Sequence, residues 1–108
     1  MNIIQQAFQK LYPEKEFNYS AVLKYSGKFR GYNARVQLNK SLNKIAFRLS
    51  KKWVGVSDEI QIGLVQSLLV RVLKSPAQSV EMDLYDLFIK NLSDVLPHTK
   101  TNVLLEDS

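Results

Sequence analysis

The chain has 108 residues, of which none is cysteine and only one, His98, is histidine. Without cysteine it has no disulfide bond, no thiolate metal ligand and no cysteine nucleophile. A zinc site made of several imidazoles, or a serine–histidine catalytic pair, has almost no material here. We interpret His98 as a surface residue near the C-terminus. We therefore expect no cofactor and no resident metal ion.

Long apolar runs are missing as well. No stretch reaches the roughly 18 consecutive apolar residues that a membrane-spanning helix requires. The first ten residues lack the positively charged start of a signal peptide. We expect a soluble, cytoplasmic protein with no membrane partner. The length accommodates one domain, which we place at residues 1–98, with residues 99–108 as a C-terminal tail.

Acidic residues are absent from the whole segment 17–57, which contains nine lysines and arginines. This segment alone carries a charge of +9, although the net charge of the chain is only +5. The remainder has six basic and ten acidic residues and so carries −4. The sequence therefore predicts a protein with one strongly basic region and one acidic region.

Hydrophobic periodicity predicts an α+β fold. Apolar residues at helical spacing indicate helices at 2–11, 57–74 and 80–92, and alternation with a period of two indicates strands at 17–25, 32–39 and 44–50. Because the link at 39–43 is short, the second and third strands should form an antiparallel hairpin. We expect a three-stranded antiparallel meander packed against helices, in the order α-β-β-β-α-α.

The helix at 57–74 is apolar around most of its circumference, which indicates a central core helix. Its apolar surface is larger than two short helices and a small sheet should cover, so we expect a homo-oligomer or another protein partner. Gln61, within the apolar arc, is the residue to examine for this contact; the alternative is that it is simply exposed. In the last helix, Val80, Leu84, Leu87 and Phe88 are expected to face the core.

Four segments resemble the compact core of zinc metallopeptidases of the minimal gluzincin and SprT-like kind. They are Gly31–Asn39, Ile45–Leu49, Val56–Ile60 and Gly63–Val70, and together they cover about half of the chain. In that family the long helix carries the motif H-E-x-x-H, in which two histidines bind zinc and the glutamate is the general base.

The resemblance implies a scaffold without the chemistry of the family. The two histidine positions correspond to Gln66 and Val70, and the glutamate position corresponds to Ser67. None of these side chains replaces the ligand or base that the family uses there. The acidic residues Glu81, Asp83 and Asp86 are spaced too irregularly along a helix to converge on one ion, so we interpret them as a solvated face.

The basic segment is the remaining functional signal. Alternation places Arg35 and Arg48 on the same outer face of the hairpin, and Lys24 joins them if the first strand pairs alongside. The candidate polyanion-binding residues are Lys28, Arg30, Arg35, Arg48, Lys51, Lys52 and Trp53, with Phe29 and Tyr32 near enough to stack on bases. The alternative is a solvated sheet face, because no signature of a nucleic-acid-binding module accompanies the charges.

The sequence therefore favours a non-catalytic, pseudo-enzyme-like domain that acts through a protein interaction or self-association. A nucleic-acid-binding protein that uses the basic strands of residues 24–52 is the alternative.

Overall fold

The computed structural model describes residues 2–95 and 105–107. The elements, in chain order, are helix α1 (Ile3–Leu11), strands β1 (Ser20–Ser26), β2 (Ala34–Asn39) and β3 (Lys44–Ser50), a 3₁₀ turn (Lys51–Gly55), helices α2 (Asp58–Val72) and α3 (Val80–Val95), and the short strand β4 (Leu105–Asp107). The α+β class and the three helices are confirmed. The predicted order omitted β4, and His98 and most of the predicted tail lie outside the described residues.

The helices begin at residues whose side chains suit a helix start. The Oδ1 atom of Asn2 accepts a hydrogen bond of 2.8 Å from the backbone N–H of Gln5, which caps α1. The Oγ atom of Ser79 accepts one of 3.0 Å from the N–H of Met82 and does the same for α3. Ser57 precedes α2 as predicted, but its side chain makes no capping hydrogen bond.

The sheet is mixed, so the predicted antiparallel meander is wrong. Its strand order is β1-β3-β2-β4. The β2–β3 hairpin is antiparallel as expected. However, β1 pairs with β3 in parallel, from Ser20 opposite Lys44 to Ser26 opposite Ser50. β4 pairs in parallel with the other side of β2.

The central place of β3 follows from its composition and from the length of the β1–β2 link. Ile45, Phe47 and Leu49 are each at most 1% exposed, so β3 buries its whole inner face and gains most from neighbours on both sides. The link at 27–33 contains Gly31 at φ 59° and is longer than a tight hairpin turn. It therefore carries the chain past the end of β3 instead of folding β2 directly onto β1.

One face of the sheet is covered by helices, and α2 lies at the centre of the core. Every residue from Gln61 to Gln66 is buried, because the sheet, α1 and α3 all pack around α2. Gln61 is only 4% exposed and lies neither at the surface nor at an outer contact face. The protein thus covers within its own chain the apolar surface of α2 on which the expectation of an oligomer was based.

Of the four α3 residues predicted to face the core, only Phe88 packs against it. Val80, Leu84 and Leu87 are exposed, whereas Tyr85 is buried. The reason is the packing around Trp53, whose ring centroid lies 6.0 Å from that of Tyr85 and 5.5 Å from that of Phe88. Burying these aromatic rings turns the aliphatic stripe of α3 outwards, which periodicity alone does not reveal.

Candidate polyanion-binding face

The uncovered face of the sheet carries a row of basic residues across three strands. In the strand register, Lys24 of β1 lies opposite Arg48 of β3, and Arg48 lies opposite Arg35 of β2. Residues in register on neighbouring strands of one face are close, with strands about 4.8 Å apart. The register therefore brings together, at one level of the sheet, three charged residues from three strands. In the sequence these residues are up to 24 positions apart. We call Lys24, Arg48 and Arg35 the basic row.

Among the residues that the structure describes, no acidic side chain forms an ion pair with the basic row. Within the described part of the chain, no ion pair joins Lys24, Arg35 or Arg48 to an aspartate or glutamate, whereas Lys10 and Glu81 approach to 3.8 Å elsewhere. In the ladder between β2 and β4, Glu106 lies opposite Gln37, which is two residues along β2 from Arg35. Like charges directly opposite each other on a sheet are destabilising. The row is thus a destabilising arrangement that an anion would relieve.

Arg35 is the most confined member of the row. Its guanidinium lies 5.8 Å from the centre of the Phe29 ring, a cation–π contact with the loop that follows β1. Its Nε atom is buried and has no hydrogen-bond partner among the described residues. A buried donor without an acceptor costs about 1–3 kcal/mol, which adds to the cost of confining Arg35 in the row.

A shallow groove runs along the uncovered face. One depression of about 150 Å³ is lined by the basic row together with Val22, Gln37 and Ala46. A second, of about 370 Å³, shares these last three residues and continues towards Lys44. A larger cavity, of about 530 Å³, lies elsewhere, beside Tyr12, and both Lys15 and Glu16 line it. It therefore differs from the groove, where the described charged residues of the lining are all basic.

Four further predicted residues lie on the two segments that follow β1 and β3 at the same end of the sheet. Lys28 and Arg30 belong to the β1–β2 loop and are exposed. Lys51 and Lys52 begin the 3₁₀ turn; Lys51 packs beside Gly27, and the Nζ atom of Lys52 lies 5.7 Å from the centre of the Tyr32 ring. Because β1 and β3 are parallel, both segments leave the sheet at the end nearest the basic row.

Trp53 is not part of this surface, which corrects the prediction for this residue. It is fully buried, and its ring contacts Tyr32 and Phe88 at centroid distances of 5.2 and 5.5 Å. A tryptophan enclosed in this way cannot stack on a base. Tyr32 also packs edge-on against Phe88, at 5.5 Å. The sequence does not distinguish a surface aromatic residue from a buried one here, because Phe29 and Trp53 both follow lysines after a strand.

The three positions that correspond to the zinc motif lie on α2 under the other helices. Gln66 is fully buried, and its Nε2 atom donates a hydrogen bond of 3.2 Å to the carbonyl oxygen of Ala7 in α1. Its Oε1 atom accepts a hydrogen bond from the hydroxyl of Ser79, the residue that caps α3. Ser67 and Val70 are half-buried. Gln66 thus joins α1, α2 and the start of α3.

Gln61 is held by a second polar cluster, at the edge of the helical layer. The hydroxyl of Tyr25 donates a hydrogen bond of 2.6 Å to Oε1 of Gln61, and Nε2 of Gln61 donates one of 2.9 Å to the carbonyl of Val56. Burial, and to a smaller extent the nearby charge of Asp58, raises the pKa of Tyr25 above its ordinary value. These hydrogen bonds link β1 to the first turn of α2.

The acidic residues on α3 lie apart from the groove. Asp83 and Asp86 are exposed, and Glu81 is paired with Lys10 of α1. Among the described residues, no three histidine, cysteine or carboxylate side chains come together in a way that would hold a metal ion. The helices within that part of the chain also fall short of the length and apolarity needed to cross a membrane.

The sequence predicts Lys24 on the basic face only if β1 pairs beside the hairpin. The parallel β1–β3 ladder meets that condition. Val22, Gln37 and Ala46 were not among the predicted residues of the binding surface. Each of these three residues lies two positions from a member of the basic row and therefore on the same face of its strand. The period of two that placed the arginines on this face could have identified these residues as well.

The chain matches no protein-family model, no curated protein and no solved structure. The resemblance to zinc metallopeptidases therefore stays a prediction.

Proposed function

We propose that this protein is a non-catalytic binding module and that its ligand is the phosphate backbone of a nucleic acid, held on the groove of the uncovered sheet face. The observation that carries the proposal is the basic row, with which no acidic side chain of the described residues forms an ion pair. Phosphate oxygens supply the counter-charges that the row lacks among those residues.

The type of recognition follows from what the groove contains. Between the charges, the side chains of the strands that face the groove are Val22, Gln37 and Ala46, none of which is aromatic. The aromatic rings nearest to it are occupied: Phe29 lies against Arg35, and Tyr32 against Trp53. Binding should therefore depend on phosphate contacts and show little preference for base sequence.

The non-catalytic part of the proposal is supported by Gln66. In the resembling zinc enzymes this position ligates the metal, whereas here both polar atoms of the side chain are engaged with Ala7 and Ser79. We propose that Gln66, Ser67 and Val70 serve the packing of the helices. In this proposal the helices only support the sheet, and the uncovered face of the sheet binds the ligand.

The test measures binding of a fluorescently labelled 20-nucleotide single strand, and of the corresponding duplex, by anisotropy at 50 and 200 mM NaCl. If about five basic residues contact phosphates, the slope of log K against log salt is about −3.5 for the single strand and −4.5 for the duplex. Affinity then falls on the order of 100- to 500-fold between the two salt concentrations. Absence of binding at 50 mM contradicts the proposal.

Two lysines provide a matched pair of variants. Lys24 and Lys74 are both exposed, but Lys24 belongs to the basic row and Lys74 follows α2, in the helical layer on the other face of the sheet. Lys24→Gln should weaken binding several-fold at 50 mM salt and reduce the salt slope by about 1. Lys74→Gln changes the net charge equally and should have a much smaller effect. Equal losses would indicate attraction by overall charge and refute a site at the row.

A further inference from the structure

Helix α3 presents an aliphatic stripe to solvent. Val80 is 71% exposed, Leu84 39% and Leu87 56%, and their spacing of four and three residues places them on one side of the helix. Tyr85, on the side packed against α2, is 7% exposed. Three large aliphatic residues side by side on a helix indicate a contact surface more strongly than the same residues scattered singly.

The charges beside the stripe indicate what covers it. Asp83, Asp86 and Lys90 are exposed and lie along one flank of the stripe. Asp83 and Lys90 are seven residues apart, which is two helical turns, or about 10.5 Å. When two copies of such a helix pack antiparallel about a two-fold axis, the same flank of each helix meets on the same side. The acidic residue of one copy then lies beside the basic residue of the other copy, and the reverse pairing forms at the other end.

We propose that α3 is a homodimer interface in which the stripes of two copies pack antiparallel. Leu84 and Leu87 of one copy pack against Leu87 and Leu84 of the other, near the two-fold axis. Asp83 of each copy faces Lys90 of the other, which gives two ion pairs. Because both copies use the same surface, assembly stops at the dimer. This surface is separate from the groove, because α3 belongs to the helical layer on one face of the sheet and the groove lies on the other face.

The dimer should be weak. The exposed parts of three aliphatic side chains amount to a few hundred Å² per copy, against roughly 800 Å² per partner in a stable interface. We therefore expect dissociation in the micromolar to hundred-micromolar range. The measurement has to extend to high protein concentration.

The test is sedimentation equilibrium of the full chain from about 5 to 500 µM, a range set by the expected affinity. The wild-type mass should rise from one copy towards two and stop there. Leu87→Glu should remain a monomer throughout. Leu42→Glu, which changes an apolar residue that is 60% exposed in the β2–β3 turn, should dimerise as the wild type does.

A charge exchange tests the antiparallel pairing itself. Asp83→Lys and Lys90→Asp each replace an attraction by a repulsion, so each should weaken the dimer, and the double variant should recover it. A monomeric wild type at 500 µM, growth beyond two copies, or equal loss in Leu42→Glu and Leu87→Glu would each overturn the proposal. A double variant no better than either single one would also overturn it. Circular dichroism of each variant confirms that the fold is retained.

Discussion

Gly63 is the point at which α2 and α3 approach most closely, and replacing it with alanine is a severe test of the packing. A Cβ atom added at Gly63 would lie 2.0 Å from the carbonyl oxygen of Glu81 and 2.6 Å from its carbonyl carbon. It would also lie 2.9 Å from Cβ of Tyr85. The obstructing atoms are mostly backbone, so no side chain can rotate to make room. Helix α3 has to move away by more than 1 Å.

The cost of this movement follows from what α3 holds. Overpacking a well-packed core typically costs 1–3 kcal/mol and sometimes more. Here the shift also separates Tyr85 and Phe88 from Trp53 and strains the hydrogen bond between Gln66 and Ser79. Alanine regains about 1 kcal/mol through its higher helix propensity. We expect a net loss of about 3 kcal/mol, which lowers the melting temperature by roughly 12–24 °C in a domain of this size.

The assay is urea unfolding followed by the fluorescence of Trp53, the only tryptophan in the chain, together with thermal unfolding by circular dichroism. Gly55→Ala is the matched control, because a Cβ atom there has no neighbour within 4 Å. Its stability should stay within about 0.5 kcal/mol of the wild type. If Gly63→Ala unfolds within 1 kcal/mol of the wild type, the close packing of α2 on α3 is refuted.

Two further predictions concern a titrating group and a helix end. Because the pKa of Tyr25 is raised in the folded protein, its contribution is fully present below the ordinary value of 10.0 and is lost as the pH rises through the folded pKa. Tyr25→Phe should therefore reduce the loss of stability seen in urea unfolding above pH 10, and an unchanged alkaline profile would contradict this. Lys74 follows α2 with φ 54°, a left-handed conformation that glycine adopts without strain. Lys74→Gly should raise the free energy of unfolding by about 0.5–1 kcal/mol, and a loss of stability would show that the lysine side chain makes a contact worth more than the backbone strain.

The local elements of this protein were determined by the sequence. Asn2 and Pro13 delimit α1, alternating residues identify β2 and β3, and the short turn between them specifies their antiparallel pairing. The concentration of basic residues in 17–57 is also a property of the sequence alone. These features depend on neighbours within a few residues, so a pattern along the chain is sufficient to find them.

The tertiary structure decided which of these elements are neighbours. β3 lies between β1 and β2 because the most apolar strand gains most from a central position, and no local pattern records that gain. The same placement brings Lys24 into register with Arg48 and Arg35 and so creates the basic row. Trp53 is buried, and Leu84 and Leu87 are exposed, because α3 turns its aromatic side to the core. The sequence alone determined the sign of the charge and the helical and strand periods, whereas the burial of competing apolar faces decided where the charge and the aliphatic stripe are displayed.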